Sequence, residues 1–182
     1  MTAVKLDTFN NSWYHPGKNL MYRSLWYLAN HLLLRSSIPG SFWRRGLLSL
    51  FGAKIGKKVV LKPRINIKYP WHLEIGDFTW IGENVWIDNL TLVEIGANCC
   101  VSQDAIFICG NHNYSSPSFD LLLKSIILKN GSWVGASSKV CPGVKMEENS
   151  ILSMGSVAIG VLKENTIYQG NPAVEIKKRT IS

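Results

Sequence analysis

Between residues 55 and 166 an aliphatic or small apolar residue keeps returning at every sixth position. The longest run is Leu128, Val134, Val140, Met146, Leu152 and Ala158, with Ser132, Ser138, Val144, Ser150 and Ser156 each following four residues behind. Ile75, Ile81 and Ile87 form a second run, with Thr79, Val85 and Thr91 in the offset place. A third is Ile95, Val101 and Phe107, with Cys99 and Ala105. A strict six is neither the period of a helix nor simple strand alternation. It predicts a parallel β-helix in which each hexapeptide makes one short strand and a turn, three of them closing a triangular coil of about 18 residues. The aliphatic residue points inward and stacks on its equivalents above and below, so the pile buries a core that no single repeat could. The offset residue packs inside near a corner and must be small. Gly76, Gly82, Gly96 and Gly135 stand just after the aliphatic position, where room is least.

The pattern is interrupted in an informative way. It slips by two residues between Leu73 and Ile75 and again between Val93 and Ile95, so that LEIG at 73–76 recurs as VEIG at 93–96; two-residue bulges at a corner account for this. At 111–125 (NHNYSSPSFDLLLKS) the six-residue phase vanishes, which predicts a loop extruded from the solenoid. Loops carried on a rigid scaffold are where binding and catalytic groups concentrate. Ahead of the repeats, residues 1–18 are turn-rich and read as an irregular arm. Residues 19–36 read as a helix using Leu20, Trp26 or Tyr27, Leu33 and Leu34, ended by Pro39-Gly40. A second amphipathic helix, SFWRRGLLSLFG, sets Arg44 and Arg45 opposite Phe42, Leu47, Leu48 and Phe51. The expected organisation is an arm with amphipathic helices over 1–54, the solenoid over 55–170 and a basic tail over 171–182.

Charge changes this picture at the front end. Of the 182 residues, with net charge +8, residues 1–73 hold twelve basic residues against one acid (+11), and residues 74–182 hold eight against eleven (−3). The basic character therefore belongs to the segment ahead of the mildly acidic solenoid. Two readings follow: the helices cap the open first coil, or residues 19–51 rest on an anionic membrane surface. The apolar runs are too short to span a bilayer, and the first residues lack the build of a secretory signal, so the expected location is cytoplasmic, with a peripheral place on the inner membrane face under the second reading. No nucleic-acid motif accompanies the basic residues. Cys99, Cys100, Cys109 and Cys141 show no CxxC spacing and read as buried, reduced thiols, which suits a reducing compartment.

Of the histidines His15, His31, His72 and His112, only His112 stands at the lip of the extruded loop. An imidazole there is suited to general-base work. No Ser-His-Asp spacing suggests a covalent intermediate.

The repeats, the loop histidine in GNHNYSSPSFDL, the following GSWVGASSKVCPGV, the SMGS and the closing GNPA resemble the left-handed β-helix acetyltransferases. GNHNYSSPSFDL and RRGLLSLFGAKIG are most similar to those of colanic acid and other exopolysaccharide biosynthesis. The resemblance spans residues 20–178 and implies a homotrimer with the active site between prisms. It implies acetyl-CoA as donor and no metal, since the three histidines of the zinc-binding carbonic anhydrases of this fold have no counterpart here. It further implies direct attack by a saccharide hydroxyl on the thioester, in exopolysaccharide or lipopolysaccharide synthesis, with His112 as base. By match, Asp88, Asn89 and Asn111 would meet the acceptor. Ser102, Trp133, Gly135, Ala136, Ser153, Met154 and Gly155 would line the pantetheine groove. The chain departs from relatives at Ile159-Gly160 and Val174, which leaves the CoA phosphates to Lys163, Lys177 or Lys178. Plainer roles stand beside these: Trp133 as interface padding, and Asp88 and Asn89 as turn formers. The rival functions are a small-molecule O-acetyltransferase (serine, a simple sugar or an antibiotic) and a non-catalytic β-helix scaffold.

Overall fold

The computed structural model describes residues 3–181. Its body is a triangular prism of parallel strands. The first face stacks Lys54–Ile55, Leu73–Ile75, Val93–Ile95, Ile126–Leu128, Lys145–Met146 and Val161–Leu162. The second stacks Val60–Leu61, Trp80–Ile81, Cys100–Val101, Trp133–Val134, Ile151–Leu152 and Thr166–Gly170. The third stacks Asn66–Ile67, Trp86–Asp88, Ile106–Ile108, Lys139–Val140 and Val157–Ala158. The three aliphatic runs read from the sequence all point inward and are buried.

The coils differ in length, and the differences lie at the corners. Ile55 pairs with Ile75 and Ile75 with Ile95, as the two-residue slips require. Leu128 then pairs with Ile95 across the coil that throws out the loop, and Met146 and Leu162 follow at closer spacing. One offset residue departs from expectation. Thr91 is only half-buried, because the longer corner after Asp88 gives the inner place to Asn89, which is fully buried. The Asn89 side chain accepts from Tyr69 N (2.9 Å) and donates to Tyr69 O (2.6 Å), clamping one coil to the next.

The glycines explain how closely the coils approach. A Cβ on Gly76 would lie 2.6 Å from Ala97 N, and one on Gly82 2.5 Å from Gln103 N, both backbone atoms of the next coil. Two residues further on, the corner needs a left-handed backbone. Phe78, Asn84, Asn98, Asp104, Ser137 and Asn149 adopt it. Asparagine and aspartate tolerate that conformation better than most residues.

The N-terminal end of the prism is covered by helices. Helix α1 (Leu20–Ala29), capped by Asn19, whose side chain accepts from Tyr22 N, runs on into a π-turn at Asn30–Leu34; α2 covers Ser41–Leu50. Both sit on the first coil. Trp26 is buried and its indole N–H is shared between Ile67 O (3.0 Å) and Lys68 O (2.9 Å). Asn30 donates to Asn66 Oδ1, and the Ser41 hydroxyl bonds both N and O of Leu61. The outer side of α1 leaves Met21, Leu25, Leu28 and Leu32 exposed. Among the described residues no helix is long and apolar enough to cross a membrane.

The face expected for α2 is corrected in two places. Phe42 is 81% exposed, while Arg44 is fully buried. Its guanidinium donates to the carbonyls of Ser36, Ile38 and Gly40 and stacks on Trp43, 4.1 Å from the ring centroid. It thereby ties down the turn between the helices. At the far end, residues expected as a tail form a strand, Ala173–Lys178, antiparallel to Thr166–Gly170.

Candidate active site

The extruded segment is a short antiparallel hairpin, Gly110–His112 against Leu121–Leu123, standing at the corner between the third and first faces. His112 ends its first strand. Its Nδ1 lies 2.8 Å from Phe119 O. A carbonyl only accepts, so Nδ1 carries the hydrogen and Nε2 is left with its lone pair. The ring stacks on Phe119 (4.4 Å between centroids, 7° between planes) and meets Phe9 at 5.7 Å. Tautomer and orientation are thus both held. Asn111 is exposed, and its side chain accepts from His112 N (2.8 Å). Within the loop, hydrogen bonds from Ser118 and Ser116 hold the Asp120 carboxyl below its usual range.

The N-terminal arm completes the site, a role its sequence gave no periodic signal for. Lys5 N donates to Pro117 O (2.8 Å), and the Tyr14 hydroxyl donates to Leu90 O (2.8 Å). The Trp71 indole donates to Pro16 O (2.7 Å). The arm is thereby laid across the corner, so that Phe9, Tyr14, Arg23, Lys68, Tyr69, Leu90 and His112 enclose a cleft of about 650 Å³. Burial, with Tyr69 and Asp88 nearby, pushes the Tyr14 hydroxyl well above its ordinary value, so it stays a donor.

Asp88 lies at the same corner, half-buried, with Oδ1 2.8 Å from Lys68 Nζ. Asn89 does not face this cleft: it is fully buried, and Tyr69's backbone occupies its amide.

A different corner, between the second and third faces, gathers the small residues. Ser102, Gly135, Ala136, Ser153 and Gly155 follow stacked strands of the second face, with the large, exposed Met154 among them. Trp133, 44% exposed, reaches across a coil to donate to Ser102 Oγ (3.0 Å). Gly155 N donates to Ala136 O, but among the described residues the N–H groups of Ala136 and Met154 have no acceptor within the chain. At the corner between the first and second faces the equivalent amides of Lys57 and Ala97 are taken by Asp77 and Asn130. The second–third corner thus offers open donors at Ala136 and Met154; among the described residues the equivalent amides of Asp77 and Asn130 at the first–second corner are open as well.

Lys163, Lys177 and Lys178 are not brought to this corner. They lie at the opposite end of the second face, where Thr166 pairs with Lys178 and Ile167 with Lys177. Lys163 pairs with Glu175 (3.2 Å), and Lys178 donates to Thr166 Oγ1 (2.9 Å). His112 and the small-residue row stand at opposite edges of the third face within one chain.

The cysteines are free; burial raises the thiols of Cys99, Cys100, Cys109 and Cys141, Cys109 to about 11. Among the described residues no three His, Cys, Asp or Glu side chains cluster to hold a metal.

A triangular prism of hexapeptide coils with a histidine on an extruded hairpin defines a β-helix of the hexapeptide-repeat class. No family model matches the chain. A curated relative from Escherichia coli (strain K12), "Putative colanic acid biosynthesis acetyltransferase WcaF", is 34% identical over 164 residues, covering 90% of each chain. A hexapeptide-repeat acetyltransferase from Vibrio cholerae, solved with acetyl coenzyme A, superposes with a TM-score of 0.79 at 20% identity, over 88% of both chains. A galactoside acetyltransferase solved with coenzyme A gives 0.75 at 23%, over 90% of this chain and 81% of that one. The chain belongs to the hexapeptide-repeat acetyltransferases, and its prism is the left-handed β-helix of that family.

Proposed function

We propose that the protein transfers an acetyl group from acetyl-CoA to a hydroxyl of a saccharide used in exopolysaccharide or lipopolysaccharide synthesis. The observation that carries this reading is the bond from His112 Nδ1 to Phe119 O, which leaves Nε2 free to accept a proton on a residue that lines the cleft. As the acceptor oxygen attacks the thioester carbonyl, Nε2 takes its proton. The C–S bond then breaks, and the proton passes to the departing thiolate, giving an ester and free CoA. A thiolate leaves readily, so the catalyst mainly supplies a base and alignment. In this reading the acceptor would meet Asn111 beside the base and Asp88 in the adjoining recess.

The row at Ser102, Gly135, Ala136, Ser153, Met154 and Gly155 fits the pantetheine arm. Apart from the exposed Met154 side chain it combines little bulk with two open backbone N–H donors, and amides of the arm need such partners. His112 and this row lie at different corners, so one site takes its base from one subunit and its groove from the next, as in a trimer. The outer ladder of the second face supports that assembly: Trp80, Cys100, Trp133 and Ile151 present an apolar strip suited to a second copy.

The test is acetyl-CoA turnover, read as free thiol, over a panel of saccharide acceptors. His112→Ala is expected to lower acceptor-dependent turnover by about 10²–10⁴-fold, with CoA binding and the sedimentation mass of a trimer unchanged. Equal turnover in the variant would refute the role of His112; absence of CoA binding in the wild type would favour a scaffold.

A further inference from the structure

The cleft at His112 continues into a second one. Arg23, Lys68 and Tyr69 line both. Beyond them lies a recess of about 490 Å³ bordered by Tyr27, Arg35, Asn66, Trp86 and Asp88. The two recesses thus adjoin across Arg23, Lys68 and Tyr69, one reaching His112 and the other lying along α1. The charge of the second is one-sided: Arg23, Arg35 and Lys68 face it against the single carboxylate of Asp88, which pairs with Lys68. Among the described residues neither Arg23 nor Arg35 lies within 4.0 Å of a carboxylate. The Arg23 Nε is buried and has no hydrogen-bond partner. That nitrogen is closed to a ligand, but the terminal nitrogens of Arg23 also have no partner among the described residues, and a guanidinium beside an ammonium is matched by a phosphate oxygen better than by a neutral hydroxyl. The recess along α1 adds the half-exposed Trp86 ring and the exposed Tyr27 ring, which can take a flat base or an apolar chain.

Resting on the acetyltransferase reading above, we infer that Arg23 and Lys68 form a subsite for a phosphate or diphosphate carried by the acceptor, which holds the attached sugar at His112. Arg35 adds long-range attraction at the outer mouth. The acceptor is therefore a phosphate-linked saccharide, with the rest of the molecule lying toward Trp86 and Tyr27. A neutral sugar would leave Arg23 unmatched.

The probe is inorganic pyrophosphate, titrated calorimetrically into the full chain saturated with CoA, so that sites for the CoA phosphates are already filled. One pyrophosphate per chain is expected to bind. Arg23→Gln should weaken binding by at least about 10-fold, the double variant with Lys68→Gln further, and Arg23→Lys by less than Arg23→Gln. CoA affinity and the thermal midpoint of Arg23→Gln should match wild type. Failure of pyrophosphate to bind the CoA-saturated protein, or binding indifferent to Arg23→Gln, would overturn the subsite. A parallel turnover series uses one sugar as methyl glycoside, 1-phosphate, nucleoside diphosphate and short-prenyl diphosphate. Preference for the nucleotide or the prenyl form identifies the source of the phosphate; equal use of the methyl glycoside would overturn the proposal. A protein that binds pyrophosphate through Arg23 but never binds CoA would refute the acetyltransferase reading while leaving the subsite intact.

Discussion

Replacing Arg44 tests whether a buried cation holds the front end together. Its guanidinium serves the carbonyls of Ser36, Ile38 and Gly40, and among the described residues no carboxylate lies within 4.0 Å of it. Burial lowers its pKa, yet an arginine keeps its charge at any working pH. Arg44→Met retains most of the stem and removes every donor. Each buried acceptor left unpaired costs about 1–3 kcal/mol. Ile38 and Gly40 sit in an exposed turn where water can replace part of the loss, so the sum should fall near 3–5 kcal/mol, the range for breaking a buried charged network. Arg44→Lys, which keeps one donor group in place of a fork, should lose roughly half as much. Urea unfolding of wild type and both variants, followed by tryptophan fluorescence, gives the differences; amide exchange across residues 36–48 shows whether the loss is local. A loss below about 0.5 kcal/mol in Arg44→Met, within the range of ordinary surface changes, would show that the turn does not depend on Arg44.

Three further changes probe the coils. Gly135→Ala puts a Cβ well inside contact distance of Met154 N and 2.8 Å from Leu152 O; prising these coils apart should cost about 1–3 kcal/mol and weaken CoA binding, read by thermal melts and a CoA titration. Gly46→Ala, inside α2 with nothing within 4 Å of the new Cβ, should instead stabilise by about 0.5–1 kcal/mol. The Cys109 thiol is raised from 9.0 to about 11 by burial. The folded chain therefore holds this proton more tightly than the unfolded one. Its contribution is full below about pH 9 and declines as pH rises through about 11, by at most about 2–3 kcal/mol. Denaturant titrations at pH 8 and 10.5 should show that alkaline loss in wild type and a flatter profile in Cys109→Ala.

The prism was legible because its core obeys a period. Leu128, Val134 and Val140 recur at sixes since each fills the same slot in successive faces, and even the slips at Leu73 and Val93 were visible as breaks in that count. Arg44 was misread because a helical wheel assigns burial by polarity. A guanidinium can be buried wherever a turn presents carbonyls to it, and that turn is a feature of tertiary structure. For Asn89, the family match implies an acceptor contact and the residue type a corner former; its burial and its clamp on the Tyr69 backbone agree with the second, because the coil beneath supplies a partner that the sequence does not show. In the sequence the three lysines stand in for phosphate contacts that Ile159-Gly160 and Val174 do not supply, but Lys163 stands at the first–second corner and the hairpin at Gly170 folds Lys177 and Lys178 back to that same edge of the second face.

The site itself follows from what a solenoid leaves over. Along each face the backbone N–H and C=O groups are spent on the coils above and below, and the inward side chains are spent on the core. Groups free to meet a ligand must come from corners, from outward side chains, or from chain that leaves the period. His112 comes from the one extruded hairpin, and the free amides of Ala136 and Met154 come from a corner that no side chain caps. The remaining walls come from the aperiodic front of the chain, which brings Phe9 and Tyr14 to the histidine and Arg23 to the groove beside it. The concentration of positive charge in residues 1–73 then has a local meaning. Some of it is consumed in capping, as with Arg44. Arg23 and Lys68 line the recess at His112 and, with Arg35, the one beside it, so under the proposed subsite the front of the chain would also set the charge of the acceptor.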